Sequence, residues 1–551
     1  MSVKFDHFQK TSELITQPHK PKIKMDALSV GSLLVATSAL SISAAKKYMT
    51  SSNIVKDTKN AKDQFSFEPI KRNHSNGEKN PYAILETQKY PAKKHCKSTK
   101  SQLSTATITE SSAIFLASNQ VEGVEYSDGT KPFRQNRYFF YLTGCNLPSC
   151  YVFFNMKTEK LTLFLPPVDK DDVMWSGLPM SLKEAQDKYD VDEVLYSSEL
   201  STFFDNLESF ENIYTTDTKN INDKEIAGKL KVGAPEFFYA LDEARSIKDA
   251  YEVALIKKAC EITDKCHLAV MSALPIETNE MHMHAEFTYH ALRQGAKFQG
   301  YDPICCSGPN CSTLHYVHND DDMEHKKTVL IDAGAEWECY TADVTRCFPI
   351  QGKFTKEHRE IYEAVLDMQT HVMKNIKPGT NWDDMHFLAH KVLIDNFKKL
   401  GIFKKEFSNE EIFKRRASTC FFPHGLGHLL GLDTHDVGGE PNYSDPDPFL
   451  SYLRLRKPLA AGMVITNEPG IYFNDFLIKN FLEKHPERLE VVDVTVMEKY
   501  KYIGGVRIED DVLVTKDGYE NLTGITSDPD EIEQIVSNGI AKGRSHFHNI
   551  A

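Results

Sequence analysis

The sequence is poor in cysteine and lacks any spacing that would give its cysteines a shared role. Among 551 residues there are 11 cysteines, an odd number; no two form a CxxC pair, and Cys305 and Cys306 are adjacent. A disulfide framework needs an even, spaced set, and structural zinc or thioredoxin-like sites use CxxC pairs. We therefore expect reduced thiols and a protein body that faces the cytoplasm.

The sequence also lacks an excess of positive charge. Lys and Arg together number 65 against 78 Asp and Glu, which gives a formal net charge of −13. A phosphate backbone rewards clustered Lys and Arg, so nucleic acid is not an expected partner and a small or peptidic one fits better. With 41% hydrophobic and 26% charged residues, the composition is that of a globular protein with room for two buried cores.

Long apolar runs are scarce, and the uncharged stretch 27–45, ALSVGSLLVATSALSISAA, is a weak one because of its many Ser and Ala residues. Lysines bracket it, and it is just long enough to cross a bilayer. It predicts either a single N-terminal membrane anchor or a targeting or poorly ordered extension. Met25 precedes it, and initiation there would place it at the N-terminus. Together with a polar linker to residue 88, it forms the first predicted segment, 1–88.

The rest of the chain predicts an α/β (α+β) protein of two domains. Residues 89–240 alternate short β-type runs with helical stretches and are expected to form a compact α/β domain. A helical period over 241–274, with Ile247, Val253 and Ile256 on one buried face, is expected to open a second domain that ends at 525. Residues 526–551 are left as a tail.

Two aspartates follow apolar β-type runs in TVLIDAGAEWECYTADVTRCFPI, residues 328–350. Asp332 and Asp343 would converge if these runs were neighbouring strands. Each alone fits a turn or cap residue. The pair fits that explanation less well, since Asp332 follows Val329, Leu330 and Ile331, where an unpaired charge would be costly to bury.

Further polar side chains occur in three glycine-containing or alternating segments. FFPHGLGHLLGLDTHDVGG (421–439) sets His424, His428 and His435 among glycines, which favours a loop site over a helix. In GMVITNEPGIYF (462–473) Glu468 ends an apolar run before a turn, or is only a structural turn residue. In GGVRIEDDVLVT (504–515) alternation puts Arg507 and Glu509 on one face, or forms a salt-bridged surface.

Four carboxylates and one imidazole make a hard ligand set that suits two divalent cations, manganese or cobalt better than a thiolate-type zinc. The predicted ligands are Asp332, Asp343, His428, Glu468 and Glu509. Such a pair would activate a bridging water for peptide hydrolysis without a nucleophilic side chain. We expect Glu468 to shuttle a proton from that water, and His435 and His315 to polarise the carbonyl or stabilise the intermediate.

These segments resemble the aminopeptidase P and prolidase branch of the metallopeptidases with the pita-bread fold, over residues 89–525. LIDAG, TADVTR, HGLGH, NEPG and RIED match the five ligand motifs of that branch, LHY (314–316) supplies His315, and HDVGG supplies His435. FRQNRYFFYLTG (133–144) is similar to the branch's creatinase-like N-terminal domain. The resemblance implies an N-terminal creatinase-like α/β domain, a C-terminal pita-bread catalytic domain, two metal ions, most often manganese, and a homodimer.

Within the branch, ICCSGPNCSTLHY (304–316), FPHGLGHLLGLDTHDVGGEPN (422–442) and the insertion before Arg507 are similar to prolidase, the Xaa-Pro dipeptidase. The resemblance implies that Arg454 binds a dipeptide carboxylate, that Tyr301 lies with His315 and His435 around the proline ring, and that Arg507 binds substrate. Arg454 could equally be a surface base. Alternatives are an Xaa-Pro aminopeptidase of longer peptides and, from another class, an inactive binding or scaffold protein. Asn467 stands where many members have Val.

Overall fold

Residues 80–103 and 111–547 are described in the computed structural model of the chain. Within these ranges, no helix has both the length and the apolar character that a membrane span requires. The predicted anchor at 27–45 and nearly all of the predicted linker lie outside the described residues.

The N-terminal part is built on one six-stranded mixed sheet in the order β4-β3-β2-β1-β5-β6. Alternate residues of its central strand enter different cores: Ile114 and Leu116 face one side, and Ala113 and Phe115 face the other. Both faces are therefore covered, which explains the nearly continuous apolar runs. The strands are β1 (Ser112–Ala117), β2 (Tyr151–Asn155), β3 (Leu161–Leu165), β4 (Glu193–Tyr196), β5 (Asn212–Thr215) and β6 (Lys231–Val232). The helices are α1 (Ala83–Thr87), α2 (Ala92–Gln102), α3 (Arg137–Thr143), α4 (Val173–Ser176), α5 (Leu182–Lys188), α6 (Leu200–Asp205), α7 (Lys224–Gly228) and α8 (Pro235–Ser246).

The single helix expected over 241–274 is wrong, because the chain breaks between α8 and a second helix, α9 (Ala250–Ala273). Asp249 caps the new helix by accepting hydrogen bonds from the backbone N–H groups of Tyr251 and Glu252. Ile247, predicted to be buried, lies in the break and is 41% exposed. Ile256 is buried as predicted and Val253 is half-buried, so the predicted period holds, in part, only beyond the cap.

The C-terminal part combines four small sheets with long helices. The strand orders are β11-β10-β7, β12-β9-β8, β13-β16-β17 and β14-β15. The strands are β7 (Phe298–Gln299), β8 (Ile304–Ser307), β9 (Thr328–Asp332), β10 (Ala335–Trp337), β11 (Tyr340–Thr341), β12 (Thr345–Pro349), β13 (Val464–Asn467), β14 (Gly470–Tyr472), β15 (Gly505–Arg507), β16 (Asp510–Val514) and β17 (Tyr519–Asn521). The helices are α10 (Glu280–Arg293), α11 (Lys356–Met373), α12 (Trp382–Leu400), α13 (Asn409–Lys414), α14 (Asp475–Lys484), α15 (Pro486–Leu489), α16 (Val494–Met497) and α17 (Pro529–Lys542).

The small sheets meet where the chain passes from one to the next. Strands β9 and β12 are antiparallel, with Asp332 opposite Thr345. Glu468 lies between β13 and β14, and Glu509 lies between β15 and β16. An isolated bridge joins Glu509 to Thr345. Three predicted ligands thus stand at strand ends or crossings, where a carboxylate can leave the apolar layer without disrupting a ladder.

Ion pairs in which at least one partner is buried join the N-terminal part to the C-terminal one. Glu336 on β10 receives hydrogen bonds at 2.7 Å from both Arg134 and Arg137. His95 on α2 points its Nε2 at the carboxylates of Asp249, 3.3 Å away, and Glu252, 3.5 Å away. Truncating one partner of such a buried pair strands the other charge, so these contacts fix how the two parts pack.

Candidate active site

The five predicted ligand residues come together at the crossings of the small sheets. Asp343, His428 and Glu509 each offer a ligand atom, and these atoms lie within 4.8 Å of one another. Glu468 Oε1 is 3.5 Å from His428 Nε2. Asp332 is joined to Asp343 through Tyr301, whose hydroxyl lies 2.5 Å from a carboxylate oxygen of each. The geometry thus gathers four carboxylates around one imidazole.

Strands β9 and β12 place the two aspartates, though not by the tight connection that the sequence predicts. The chain between them forms its own hairpin, β10 and β11. Gly334 allows that fold, because a Cβ there would collide with the carbonyl oxygen of Ala342. The backbone N–H of Asp343 donates to the buried carboxylate of Asp511 at 3.0 Å. Asp511 therefore fixes the loop that presents Asp343.

His428 presents its ligand nitrogen to the carboxylates because its other nitrogen is already engaged. Nδ1 lies 3.0 Å from the carbonyl oxygen of Leu429 and donates to it. Nε2, left with a lone pair, faces Asp343 and Glu468, each at 3.5 Å. Burial lowers the pKa of His428 and keeps the ring neutral. Fixing the tautomer through the non-ligating nitrogen is the usual support of a metal-bound histidine.

The carboxylates repel one another because they lie close together and are largely buried. Burial, together with the neighbouring acids, raises the pKa of Asp343 and Glu509 well above the ordinary range. Burial also raises the pKa of Glu468 to about 7, with Asp343 and Asp332 acting in the same direction. A buried anionic cluster of this kind favours either protons or cations. Hard oxygen donors with one imidazole match divalent metal ions, so the residues present fit such ions.

Arg507 lies behind the cluster with its guanidinium fully engaged. Its Nη2 donates to Asp332 at 2.6 Å, its Nη1 donates to the Tyr472 hydroxyl at 2.8 Å, and its Nε donates to Thr345 Oγ1 at 3.1 Å. Thr345 in turn donates to Glu509 Oε2 at 2.6 Å. Arg507 thus orients two of the predicted ligand carboxylates, one directly and one through Thr345. The substrate-binding role predicted for it stays a prediction.

The sequence predicted no role for four further residues of the site, Thr345, Tyr472, Asp511 and His424. His424 Nε2 accepts from the Tyr472 hydroxyl at 2.8 Å and its Nδ1 donates to the Gly425 carbonyl at 2.8 Å. Burial lowers the pKa of His424 to about 3. The available signal was proximity, since all four lie within or beside the ligand motifs ADVTR, HGLGH, NEPGIY and RIEDD.

The two outer histidines form part of the open side of the site. His315 and His435 both reach solvent. The ring of His435 stands edge-on to that of His428, with centroids 4.5 Å apart. Partial burial, His428 and Arg454 lower the pKa of His435 to about 2. Partial burial and Arg507 also lower the pKa of His315. Both rings are therefore neutral near pH 7 and can donate or accept hydrogen bonds.

Tyr301 and Arg454 lie at different depths in the site. The Tyr301 hydroxyl touches Asp332 and Asp343, and burial with those two charges raises its pKa well above 10. It is therefore a neutral donor with one proton shared between two carboxylates. Arg454 lies further out, partly exposed, and donates to the Tyr443 hydroxyl at 3.1 Å. Its positive charge lowers the pKa of both His435 and His315.

Comparison with known proteins places this geometry among peptidases. The model for metallopeptidase family M24 matches residues 254–516, and the model for the aminopeptidase P N-terminal domain matches residues 95–214. An uncharacterized peptidase of Saccharomyces cerevisiae is 62% identical over 85% of this chain and 88% of its own. A probable Xaa-Pro aminopeptidase of Verticillium alfalfae is 46% identical over 83% and 99%. The structure of Escherichia coli aminopeptidase P with the inhibitor Pro-Leu aligns with a TM-score of 0.69 at 27% identity, over 82% of this chain and all of that one.

Proposed function

Since the chain belongs to metallopeptidase family M24, we propose that it is an Xaa-Pro aminopeptidase, which releases the first residue of peptides whose second residue is proline. The chain is a divalent-metal peptidase. The observation that carries the proposal is the convergence of Asp343, His428 and Glu509 with Glu468 and Asp332. The match to a probable Xaa-Pro aminopeptidase covers nearly the whole length of that relative, which supports the proline specificity.

We propose that two divalent ions, of manganese, are held by Asp332, Asp343, His428, Glu468 and Glu509. Four carboxylates offset by Arg507 leave an excess of negative charge that one divalent ion would not neutralise. When bound, such ions lower the pKa of a coordinated water and polarise a carbonyl. The all-carboxylate and imidazole donors favour manganese over a thiolate-type zinc site.

The side chains around the cluster supply proton transfer and orientation. Glu468, whose carboxylate lies 3.5 Å from His428 Nε2, is placed to accept a proton from a coordinated water and return it. His435 and His315, both neutral, line the open side, where an N–H can donate to an oxygen that becomes negative during hydrolysis. Burial and the anionic neighbours keep Tyr301 protonated as a donor.

A bond before proline suits this site because it lacks an amide N–H. A peptidase that must hydrogen-bond that group loses a contact on Xaa-Pro, whereas a site that grips the carbonyl loses nothing. Preference for proline then requires a surface that fits its ring, and we place that surface near Tyr301, His315 and His435. These three side chains lie around the same cluster.

A second candidate is a prolidase-like Xaa-Pro dipeptidase. The observation that favours it is the position of Arg454, which is near enough for its positive charge to lower the pKa of both outer histidines. A guanidinium in that place could pair with the free carboxylate of a dipeptide. The Verticillium alfalfae relative, a probable Xaa-Pro aminopeptidase, favours the aminopeptidase. The homodimer, cytoplasm-facing location and N-terminal membrane association stay predictions.

The direct experiment compares substrates on the purified full chain with added manganese. We expect cleavage of an Xaa-Pro-Xaa tripeptide and a rate at least tenfold lower on the matched Xaa-Ala-Xaa tripeptide. His428→Ala is the control for a contaminating peptidase and should abolish cleavage, whereas His371→Ala, an exposed histidine on α11, should not. Equal rates on both tripeptides would refute proline specificity. Cleavage of Xaa-Pro alone would favour the dipeptidase.

A further inference from the structure

The loop that carries His435 is anchored to the junction between α8 and α9 by a buried cluster of charges. Asp436 Oδ1 accepts a hydrogen bond from Arg245 Nη2 at 2.6 Å, and Asp436 Oδ2 accepts one from Lys248 Nζ at 2.8 Å. The side chains of all three are at most 2% exposed. Three enclosed charges with short, directed contacts hold one geometry, because separating any of them would leave a charge unpaired.

The anchor grips the loop on both sides of His435. The same Nη2 of Arg245 also donates to Asp433 at 2.7 Å, so its partners in the loop are residues 433 and 436. The backbone N–H of Asp436 donates to the Leu429 carbonyl at 2.8 Å, which ties the loop back to the segment of His428. The backbone that carries His435 can therefore move away from His428 only if this anchor shifts.

The glycines of this segment show how closely the parts pack. A Cβ at Gly431 would collide with the Asp436 carboxylate, and a Cβ at Gly439 would collide with the carbonyl of Arg454. The Gly439 carbonyl accepts from the Arg456 backbone at 2.8 Å. The loop thus packs closely against both the helix junction and the segment of Arg454.

We propose that Arg245, Asp436 and Lys248 form a clamp that positions His435 toward the substrate. The junction with the N-terminal domain thus sets where His435 lies in the active site. The clamp residues do not touch the substrate; Asp436 is a positioning residue that acts through His435. This inference rests on the role given to His435 in the proposed function. It adds a requirement that the ligand set alone does not impose, since none of the three clamp residues is a predicted ligand.

A clamp that only stabilised the fold would behave differently from one that positions His435. Loss of stability would lower the melting temperature and the amount of active protein, with the kcat of the folded fraction unchanged. Loss of positioning lowers kcat in fully folded, metal-loaded protein, with a smaller change in KM. It also makes the effects of the clamp and of His435 non-additive, because removing the His435 imidazole leaves the clamp nothing to position.

The test measures kcat, KM, metal content and melting temperature for Asp436→Asn, Lys248→Met, His435→Ala and the double variant Asp436→Asn/His435→Ala. Lys248→Met keeps the Arg245–Asp436 pair and serves if Asp436→Asn does not fold. We expect kcat on an Xaa-Pro-Xaa tripeptide to fall about tenfold or more in both clamp variants with metal content unchanged. The double variant should match His435→Ala within about twofold.

The matched control is His95→Gln, which breaks another buried ion pair between the two parts without touching the His435 loop. Its melting temperature should fall while kcat stays within about twofold of wild type. Normal kcat in both clamp variants, or a double variant well below His435→Ala, would overturn the inference while leaving the proposed function intact. An inactive wild type would instead refute the proposed function, and full activity in His435→Ala would refute the role of His435 on which the inference rests.

Discussion

Arg507 donates a 2.6 Å hydrogen bond from Nη2 to Oδ2 of Asp332, from a position enclosed by protein. The same guanidinium reaches Glu509 through Thr345. One arginine therefore aims two carboxylates from separate segments, Asp332 at the end of β9 and Glu509 between β15 and β16. Its planar fork allows three donors to point in three fixed directions, which a lysine cannot reproduce.

The first prediction follows from that fork. Arg507→Lys should lower the affinity for manganese about tenfold to a hundredfold and lower kcat/KM by at least tenfold, because the carboxylates lose their fixed orientation. Metal titration of chelator-stripped protein measures the affinity. Thr345→Val removes only the link to Glu509 and should give a smaller loss. An unchanged affinity in Arg507→Lys would show that the arginine does not support the ligands.

The second prediction separates ligands from other buried acids. Asp343→Asn should abolish activity and lower bound metal, since it removes a charge that the site uses to hold cations. Asp264→Asn is the matched control, because Asp264 is equally buried but accepts the backbone N–H groups of Gly524 and Ile525. It should lose stability and keep its metal. Elemental analysis of both purified variants decides, and retained metal in Asp343→Asn would contradict the ligand assignment.

The third prediction tests the second candidate, the dipeptidase, through substrate length. Arg454→Ala should reduce cleavage of an Xaa-Pro dipeptide about tenfold to a hundredfold, because a charge-assisted contact with the terminal carboxylate contributes about 1.5–3 kcal/mol. Cleavage of a tripeptide should change little, since its carboxylate lies elsewhere. Tyr443→Phe removes the contact that steadies Arg454 and should act in the same direction, more weakly. Equal losses on both substrates would remove Arg454 from length selection.

The fourth prediction concerns the pH dependence of stability. His95 is buried, and although burial itself lowers its pKa, Glu252 and Asp249 together raise it from 6.5 to about 9. A raised pKa stabilises the fold fully below about pH 6.5, and this contribution is lost as the pH rises through about 9. The loss should approach about 3 kcal/mol. Denaturant unfolding at several pH values measures it, and His95→Gln should flatten the dependence in that range.

Much of the fold was predictable because its signals are local. Apolar runs marked the strands, and the five ligand motifs brought their residues together as expected from the resemblance. The two-part α/β architecture is confirmed by the family matches and by the alignment with aminopeptidase P. The exposed Ile247 was missed because a helical period continues through a break, and only the capping geometry at Asp249 marks where the second helix begins.

The supports of the site were harder to predict because they are long-range. Thr345 and Arg507 are far apart in sequence, yet they share one relay. Asp436 has a motif beside it but gains its meaning only from Arg245 and Lys248, on the far side of the domain junction. Single-sequence patterns report which residues carry chemistry, whereas the contacts that aim them require three-dimensional packing.

A metal titration with hydrolysis as the readout tests whether this site cleaves Xaa-Pro peptides with two metal ions. The full chain is stripped of metal with a chelator, and manganese is added in steps while release of the first residue from an Xaa-Pro-Xaa tripeptide is followed. We predict no hydrolysis without metal, and activity that rises to a plateau at two equivalents per chain. Full hydrolysis by metal-free protein, or bound manganese without any hydrolysis of Xaa-Pro peptides, would contradict the account.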